Sequence, residues 1–322
     1  MKQPKVLIVG SINMDMIFYG PHGDEMKPNR CLNFDSIGYY CGGKGANQAM
    51  AAAKLGAEAY LVSAVGSDEN GRKIRELLRG GNVHLDFISV LDDVQTGLSG
   101  IFMMKDGSYI GTNIRGANDR IMPEMVEHAL DAEAFDMVLM QMEMPLETVY
   151  RTYELATERK IPVILDAGPA MKIPLERLRG IFMVSPNEAE TEALTGIAVK
   201  DEETALEAAK FIREHACAKY VLLKLGGKGS YLYDGKKGSL YPACKVNFVD
   251  TTGAGDTFTT ALMIRLCNED GMETAIRYAT AAAGICVSRR GGISSIPDRE
   301  EIELQIKNMS DQKGEQDEEF KG

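Results

Sequence analysis

The sequence predicts an α/β protein built on a central, mostly parallel β-sheet, and three observations carry that prediction. The apolar runs Val6–Val9, Ala59–Val65, Met137–Met140, Pro162–Leu165, Ile181–Val184 and Tyr220–Leu225 are continuous rather than alternating, as strands covered on both faces are. Helical stretches lie between them at Ala46–Lys54, Gly71–Arg79, Pro123–Leu130, Glu147–Arg159, Glu188–Leu194 and Glu202–Glu214. Strands alternating with helices of that length indicate a parallel sheet. Residues 15–41 and 96–114 break the rhythm with short alternating strands and turns, for example Thr96 to Phe102. Short antiparallel strands inserted in an α/β body form a lid over a site.

In chain order, the start MKQPKVLIVG is charged and then apolar, a strand too short to span a membrane. SINMD follows, so Asn13 and Asp15 stand where the first strand delivers its end to a crevice. An amide plus a carboxylate suits a polyhydroxyl ligand, and a plain Asx turn is the other reading. CGGKGANQAMAAAKLGA is a Gly-rich loop running into an Ala-rich helix. It lacks GxxxxGK[ST], and the dinucleotide fingerprint is absent after the first strand. Gly42, Gly43 and Gly45 permit close helix–sheet packing, and Asn47 at the helix start is able to reach a ligand.

Further on, SPNEAE sets Asn187 and Glu190 three apart on one helical face. That pair is able to hold a hydrated Mg²⁺ beside a nucleotide, and an N-cap with an acidic first turn fits equally well. LLKLGGKGSYL reads as a hairpin, with Lys224 and Lys228 adding positive charge near its turn; contact with phosphate is the alternative. DTTGAGDTF at 250–258 puts Gly253 and Gly255 before a helical pattern, with Phe258, Leu262 and Leu266 four apart. A glycine turn opening a helix holds an anion. Asp256 beside it is suited to take a proton from a hydroxyl that attacks phosphorus.

Composition bounds the rest. The chain has 322 residues, 44% of them hydrophobic, and a net charge of −11. The acidic balance argues against a nucleic-acid partner, and no apolar run is long enough for a membrane partner. Six cysteines without a CxxC pair read as reduced thiols of a cytoplasmic protein. Histidines 22, 84, 128 and 215 have no metal-ligand spacing and read as structural or surface residues. Residues 306–322 are polar and acidic, and a disordered tail is expected there after a single domain at 1–305.

The joint order of SINMD, GGKGANQAMAAAKLG, VGSDENG, RGAN, QMEMP, PNEAE, KLGGKG, DTTGAGDTF and AAAGICVSRRGGISSIP resembles the PfkB family of carbohydrate kinases, and within it the ribokinases, from about residue 5 to 305. The resemblance implies a three-layer ribokinase-like sandwich with a small β lid, and transfer of the ATP γ-phosphoryl to the 5-hydroxyl of D-ribose. It implies Asp256 as base, with N–H groups of Gly253, Ala254 and Gly255 neutralising the transferring group. It assigns the sugar to Asn13, Asp15, Gly43, Lys44, Asn47 and Glu143, and the nucleotide to Asn187, Lys224, Gly226, Gly229, Gly255 and Thr280. Mg²⁺ falls to Glu190. A monovalent cation, K⁺ in the family, falls to Asp250, Thr252, Cys286, Arg289, Gly291 and Ser295, mostly through backbone carbonyls. Two lids clasping into a homodimer also follow from the resemblance.

The chain departs from the family pattern in three positions. Asn29 and Arg30 occupy the usual Gly-Glu of the lid turn, Arg115 replaces a small residue, and Thr280 replaces a histidine near the adenine. Arg115 suits an acidic sugar, or else it points to solvent or pairs with a lid carboxylate. Asn13 favours ribose over 2-deoxyribose. The rivals are a ketodeoxygluconate, fructose or nucleoside kinase, a non-catalytic sugar-sensing relative, and a dinucleotide-dependent oxidoreductase.

Overall fold

Val6, Leu7, Ile8 and Val9 all have zero exposure, and the architecture is built outward from that strand. The computed structural model describes residues 3–20, 31–104 and 109–308. β1 (Lys5–Val9) leads into β2 (Asn13–Gly20) and β3 (Ser36–Gly42), and α1 (Lys44–Lys54) returns the chain to β4 (Glu58–Gly66). Next come α2 (Glu69–Gly80), β5 (Val83–His84), β6 (Ile88–Leu91), β7 (Gly97–Met104) and β8 (Tyr109–Ile114). Alternation resumes with α3 (Pro123–Ala132), β9 (Met137–Met140), α4 (Leu146–Glu158), β10 (Val163–Asp166), β11 (Met183–Ser185), α5 (Glu188–Thr195), α6 (Glu202–Ala216) and β12 (Tyr220–Lys224). The hairpin strands β13 (Ser230–Tyr233) and β14 (Gly238–Tyr241) precede α7 (Ala254–Cys267) and α8 (Met272–Val287).

The large sheet runs β14-β13-β12-β11-β10-β9-β1-β4-β5, with β6 also on β4. Its pairs are parallel from β12 to β5, and only β13 and β14 run antiparallel. Leu7 and Val9 enter one core cluster with Val126, Val149 and Ala209 of α3, α4 and α6. Val6 and Ile8 enter the other with Ala49, Ile74, Leu262 and Ala279 of α1, α2, α7 and α8. Helices therefore cover both faces, which is why the strands read as unbroken apolar runs. Full burial of each such side chain stabilises by about 1.5–3 kcal/mol. From β1 the chain moves to β4 on one side and later to β9 on the other, so strand order reverses at β1. Ligand crevices form outside the carboxyl ends of strands at such a switch.

A separate four-stranded sheet, β3-β2-β7-β8, forms the lid. The expectation of antiparallel strands is corrected at its centre, where β2 pairs parallel with β7 while both outer pairs are antiparallel. The two inserted segments enter from the same edge of the body, so their first strands run side by side. Asn13 and Asp15 lie in β2, and the plain-turn reading does not hold. Register puts Asn13, Asp15, Tyr40 and Ser99 on one face and Met16, Phe18, Tyr39, Ile37, Phe102 and Ile110 on the other.

α1 crosses tightly over the β1–β2 link, with Ala46 N–H donating to Ser11 O at 3.0 Å. A Cβ at Gly45 would lie 2.6 Å from the Gly10 carbonyl carbon, so only glycine fits there. His84 stacks on Tyr60, His215 stacks on Phe211, and His128 meets the Phe87 edge; His22 lies outside the described residues. The six cysteines form no disulfide. Among the described residues no helix is long and apolar enough to cross a membrane. Residues 306–308, placed by the sequence in the tail, are helical; 309–322 lie outside the described residues.

Candidate active site

Strand ends deliver the chemistry. Asp256 sits in the first turn of α7 and is only 5% exposed. Its Oδ2 accepts from Asn47 Nδ2 at 2.9 Å, and its Oδ1 accepts from Gln48 Nε2 at 3.2 Å and lies 3.5 Å from Lys44 Nζ. Burial above all, aided by the Asp166 charge, pushes its carboxyl up to about 6 against the pull of Lys44. Asp15 is also pushed up to about 6, chiefly by burial, with the Ser99 hydroxyl opposing and Glu143 and Asp256 adding to the rise. The ionised form is then the minority species below pH about 6 for both groups. kcat/KM is expected to fall about ten-fold per pH unit below that point, and more steeply if both must be ionised. A pH–rate profile that stays flat down to pH about 5 would contradict this assignment.

The residues expected to hold the sugar gather around these two carboxylates. Glu143 accepts from the Ser11 hydroxyl and from Lys44 N–H at 3.2 Å. Gly43 caps α1, which brings Lys44 and Asn47 to the crevice. Asn47 Oδ1 is buried and has no protein partner among the described residues, so it is an acceptor suited to a ligand hydroxyl. Asn13 is held from behind, since Asn118 Nδ2 donates to its Oδ1 at 2.7 Å. That bond turns the Asn13 amide nitrogen away from Asn118.

Gly253 takes the left-handed conformation, φ 78°, at the N-cap of α7, a geometry that glycine adopts without steric cost. Ala254 N–H donates to Thr251 O at 3.1 Å, so the three expected anion donors narrow to Gly253 and Gly255. Beside this turn lies a cleft of about 300 Å³ lined by Lys224, Gly226, Gly229, Phe258, Thr280 and Gly284. The Thr280 hydroxyl donates to Ile276 O at 2.8 Å.

Both cation regions are committed in part to internal bonds. Asn187 and Glu190 form a reciprocal capping box at α5, with Glu190 N–H on Asn187 Oδ1 at 2.9 Å and Asn187 N–H on Glu190 Oε2 at 2.7 Å. The capping reading is therefore realised, and one Glu190 oxygen is left for other contacts. No group of three or more His, Cys, Asp or Glu among the described residues could cage a metal. Asp250 accepts from Thr252 N–H and Gly291 N–H, each at 2.9 Å. Burial opposes its ionisation, and these bonds hold its carboxyl below the ordinary value. Cys286 Sγ lies 3.0 Å from Ser295 Oγ, and the Arg289 guanidinium turns away to Glu301.

Arg115 pairs with Asp119 at 3.0 Å, a carboxylate of the turn Gly116–Arg120 rather than of the lid. Asn29 and Arg30 lie outside the described residues. Sequence reading missed Gln48, Asp166 and Asn118. The signals were present: Asp166 ends an apolar strand, Gln48 follows Asn47, and Asn118 closes RGAN.

A carboxylate beside a glycine turn at a helix start, next to a face of amides and carboxylates, is the arrangement that suits a phosphoryl transferase with an alcohol acceptor. The sequence model of the pfkB family carbohydrate kinases matches residues 3–299. The chain belongs to that family. It is 34% identical over 296 residues to a ribokinase of Haemophilus influenzae, covering 91% of this chain and 95% of that one. It is 36% identical to a ribokinase of Arabidopsis thaliana, covering 93% and 80%. The solved structure of an Arabidopsis thaliana ribokinase complexed with ribose and ATP superposes with a TM-score of 0.86 at 33% identity, covering 95% of this chain and 99% of that one.

Proposed function

We propose that the protein transfers the γ-phosphoryl of ATP to the 5-hydroxyl of D-ribose, yielding ribose 5-phosphate. The observation that carries this reading is the position of Asp256, which touches Asn47 and lies near Lys44 on the sugar side while it belongs to the anion turn itself. In this reading Asn13, Asp15, Asn47 and Glu143 hold the sugar hydroxyls. Asp256 takes the proton of the attacking hydroxyl, and its raised carboxyl range suits that task near neutral pH. Gly253 and Gly255 N–H groups and Lys224 neutralise the transferring group, whose loose transition state asks mainly for positioning and charge.

Magnesium fits the site as a phosphate-bound ion that keeps several waters, with Glu190 and Asn187 the residues that would face them. It would supply charge neutralisation between the phosphates. The loop pair of Asp250, Thr252, Cys286, Arg289, Gly291 and Ser295 supplies carbonyl, hydroxyl and carboxylate oxygens suited to K⁺, which would steady the anion turn. A homodimer through the lid is supported by its apolar face, where Ile37, Tyr39, Ile110 and Ile114 are exposed. Six cysteines that form no disulfide accord with a cytoplasmic setting.

An ADP-release assay over ribose, 2-deoxyribose, fructose, 2-keto-3-deoxygluconate and nucleosides tests the reading. Ribose is expected to give the highest kcat/KM, about ten-fold or more above 2-deoxyribose, since a missing hydroxyl leaves a buried amide unpaired. Preference for 2-keto-3-deoxygluconate would replace ribose as the substrate and bring Arg115 back into the site. No turnover of any sugar would favour a sensing relative.

A further inference from the structure

One carboxylate of the crevice has no route to a substrate. Asp166, the last residue of β10, is fully buried, yet its charged partners Lys44 and Lys224 both belong to the crevice. Its Oδ1 accepts from the Lys224 ammonium. Its Oδ2 accepts from Gln48 Nε2 at 2.9 Å and lies 3.7 Å from Lys44 Nζ. The same Gln48 nitrogen and the same Lys44 ammonium reach Asp256 Oδ1. The Gln48 carboxamide is fixed in orientation because its Oε1 accepts from Gln141 Nε2. Asp166 and Asp256 are thus joined twice, through one amide and through one ammonium.

We propose that Asp166 is a positioning residue: its carboxylate holds Lys224 on the phosphate side and Lys44 and Gln48 on the sugar side, and so sets the charge around Asp256. The proposal rests on the kinase reading above. Long lysine side chains lose substantial rotamer freedom when held in one geometry, and a shared buried carboxylate orders two of them at once. An ion pair serving the core alone would have partners that face nothing else. Here each partner ends at a different part of the site: Lys224 lies 3.8 Å from where a Gly255 Cβ would stand, Lys44 opens α1, and Gln48 touches the base. Burial opposes ionisation of Asp166, but Lys224 and Lys44 hold its carboxyl below the ordinary value while Asp256 is pushed the other way. Two neighbouring carboxylates separated in this manner take different roles.

The groups that face Asp256 are Lys44, Asn47 and Gln48 of α1, Asp166 of β10, Glu143 after β9, Asp15 of β2 and Cys286 of α8. Neutralising Asp166 removes a like charge and leaves Asp256, with Glu190 and Glu143 further off, as the carboxylate that holds Lys44, and both changes make Asp256 lose its proton more readily. In the full-length protein, Asp166→Asn is expected to lower kcat about ten- to hundred-fold and to raise the KM for ATP about ten-fold as Lys224 loses its anchor. The acid limb of the kcat profile is expected to move down by about one pH unit. Asp166→Glu keeps the charge but displaces it, and is expected to lower kcat with the limb unmoved. It serves alone if the Asn variant does not fold. Wild-type kcat and KM in either variant, or a limb in Asp166→Asn that stays or moves up, overturns the proposal. Failure of the wild type to phosphorylate any sugar removes the kinase reading instead. ATP binding by calorimetry then decides: weaker binding in Asp166→Asn supports the role, and equal binding, or none by the wild type, overturns it.

Discussion

Asp256→Asn is expected to yield a folded protein whose kcat is about a thousand- to ten-thousand-fold below wild type. The amide matches the carboxylate in shape and can still accept from Asn47, the shorter of its two amide contacts. What disappears is the proton acceptor of the proposed reaction. In the proposed reaction the sugar hydroxyls would retain Asn13, Asp15, Asn47 and Glu143, so ribose affinity measured by calorimetry is expected to stay within about five-fold of wild type, as for an interaction made mainly in the transition state. Lys44 loses one carboxylate partner but keeps Asp166 at 3.7 Å, so it is not left as an isolated buried charge. Steady-state kinetics with ribose and ATP give the measurement. A loss of less than ten-fold would remove Asp256 as base and direct attention to Asp15, the other carboxylate pushed up to about 6.

Gly45→Ala is expected to damage both stability and sugar binding. The added methyl would stand 2.6 Å from the Gly10 carbonyl carbon, 2.7 Å from Ser11 O and 2.8 Å from Ser11 N. All three are backbone atoms, which cannot rotate aside, so α1 must lift off the β1–β2 link. Overpacking of this kind costs about 1–3 kcal/mol, and more when backbone has to shift. Because α1 carries Lys44, Asn47 and Gln48, its displacement also moves the sugar side of the site, and KM for ribose is expected to rise about ten-fold or more. Gly80→Ala in α2 is the control: nothing lies within 4 Å of its added Cβ, and it is expected to be neutral or to stabilise by up to about 1 kcal/mol. Urea unfolding of the two variants beside wild type distinguishes them. Equal midpoints would show that the crossing tolerates a methyl.

How much of this was legible depended on whether the information was local. Apolar runs located β1, β4, β9 and β12 to within a residue or two, because burial on both faces leaves few polar positions within a strand, Ser63 in β4 being one. DTTGAGDTF declared its turn and its carboxylate because glycine placement and helix onset are short-range properties. The parallel pairing of β2 with β7 was not legible, since register between segments some eighty residues apart leaves no local trace. Gln48 was hidden for the same reason. An amide one position beyond Asn47 acquires meaning only when β10 delivers Asp166 against it. Asp166 itself was nearer to legible, as a carboxylate ending an apolar parallel strand stands where ligand crevices form. RGAN drew attention to Arg115, whose ion pair with Asp119 is local, while Asn118 in the same motif reaches back to Ile12 and Asn13.

The lid divides its residues by parity. In β2 and β7 the odd numbers look toward Asp256 and the even numbers look away, and in β3 the assignment is reversed. Two requirements, one on the polyol of the proposed reaction and one on the exposed apolar side, therefore fall on interleaved residues of the same strands. Point substitutions change one set without touching the other. A single-residue insertion or deletion exchanges the two from that point onward, so the length of these strands matters to both faces at once.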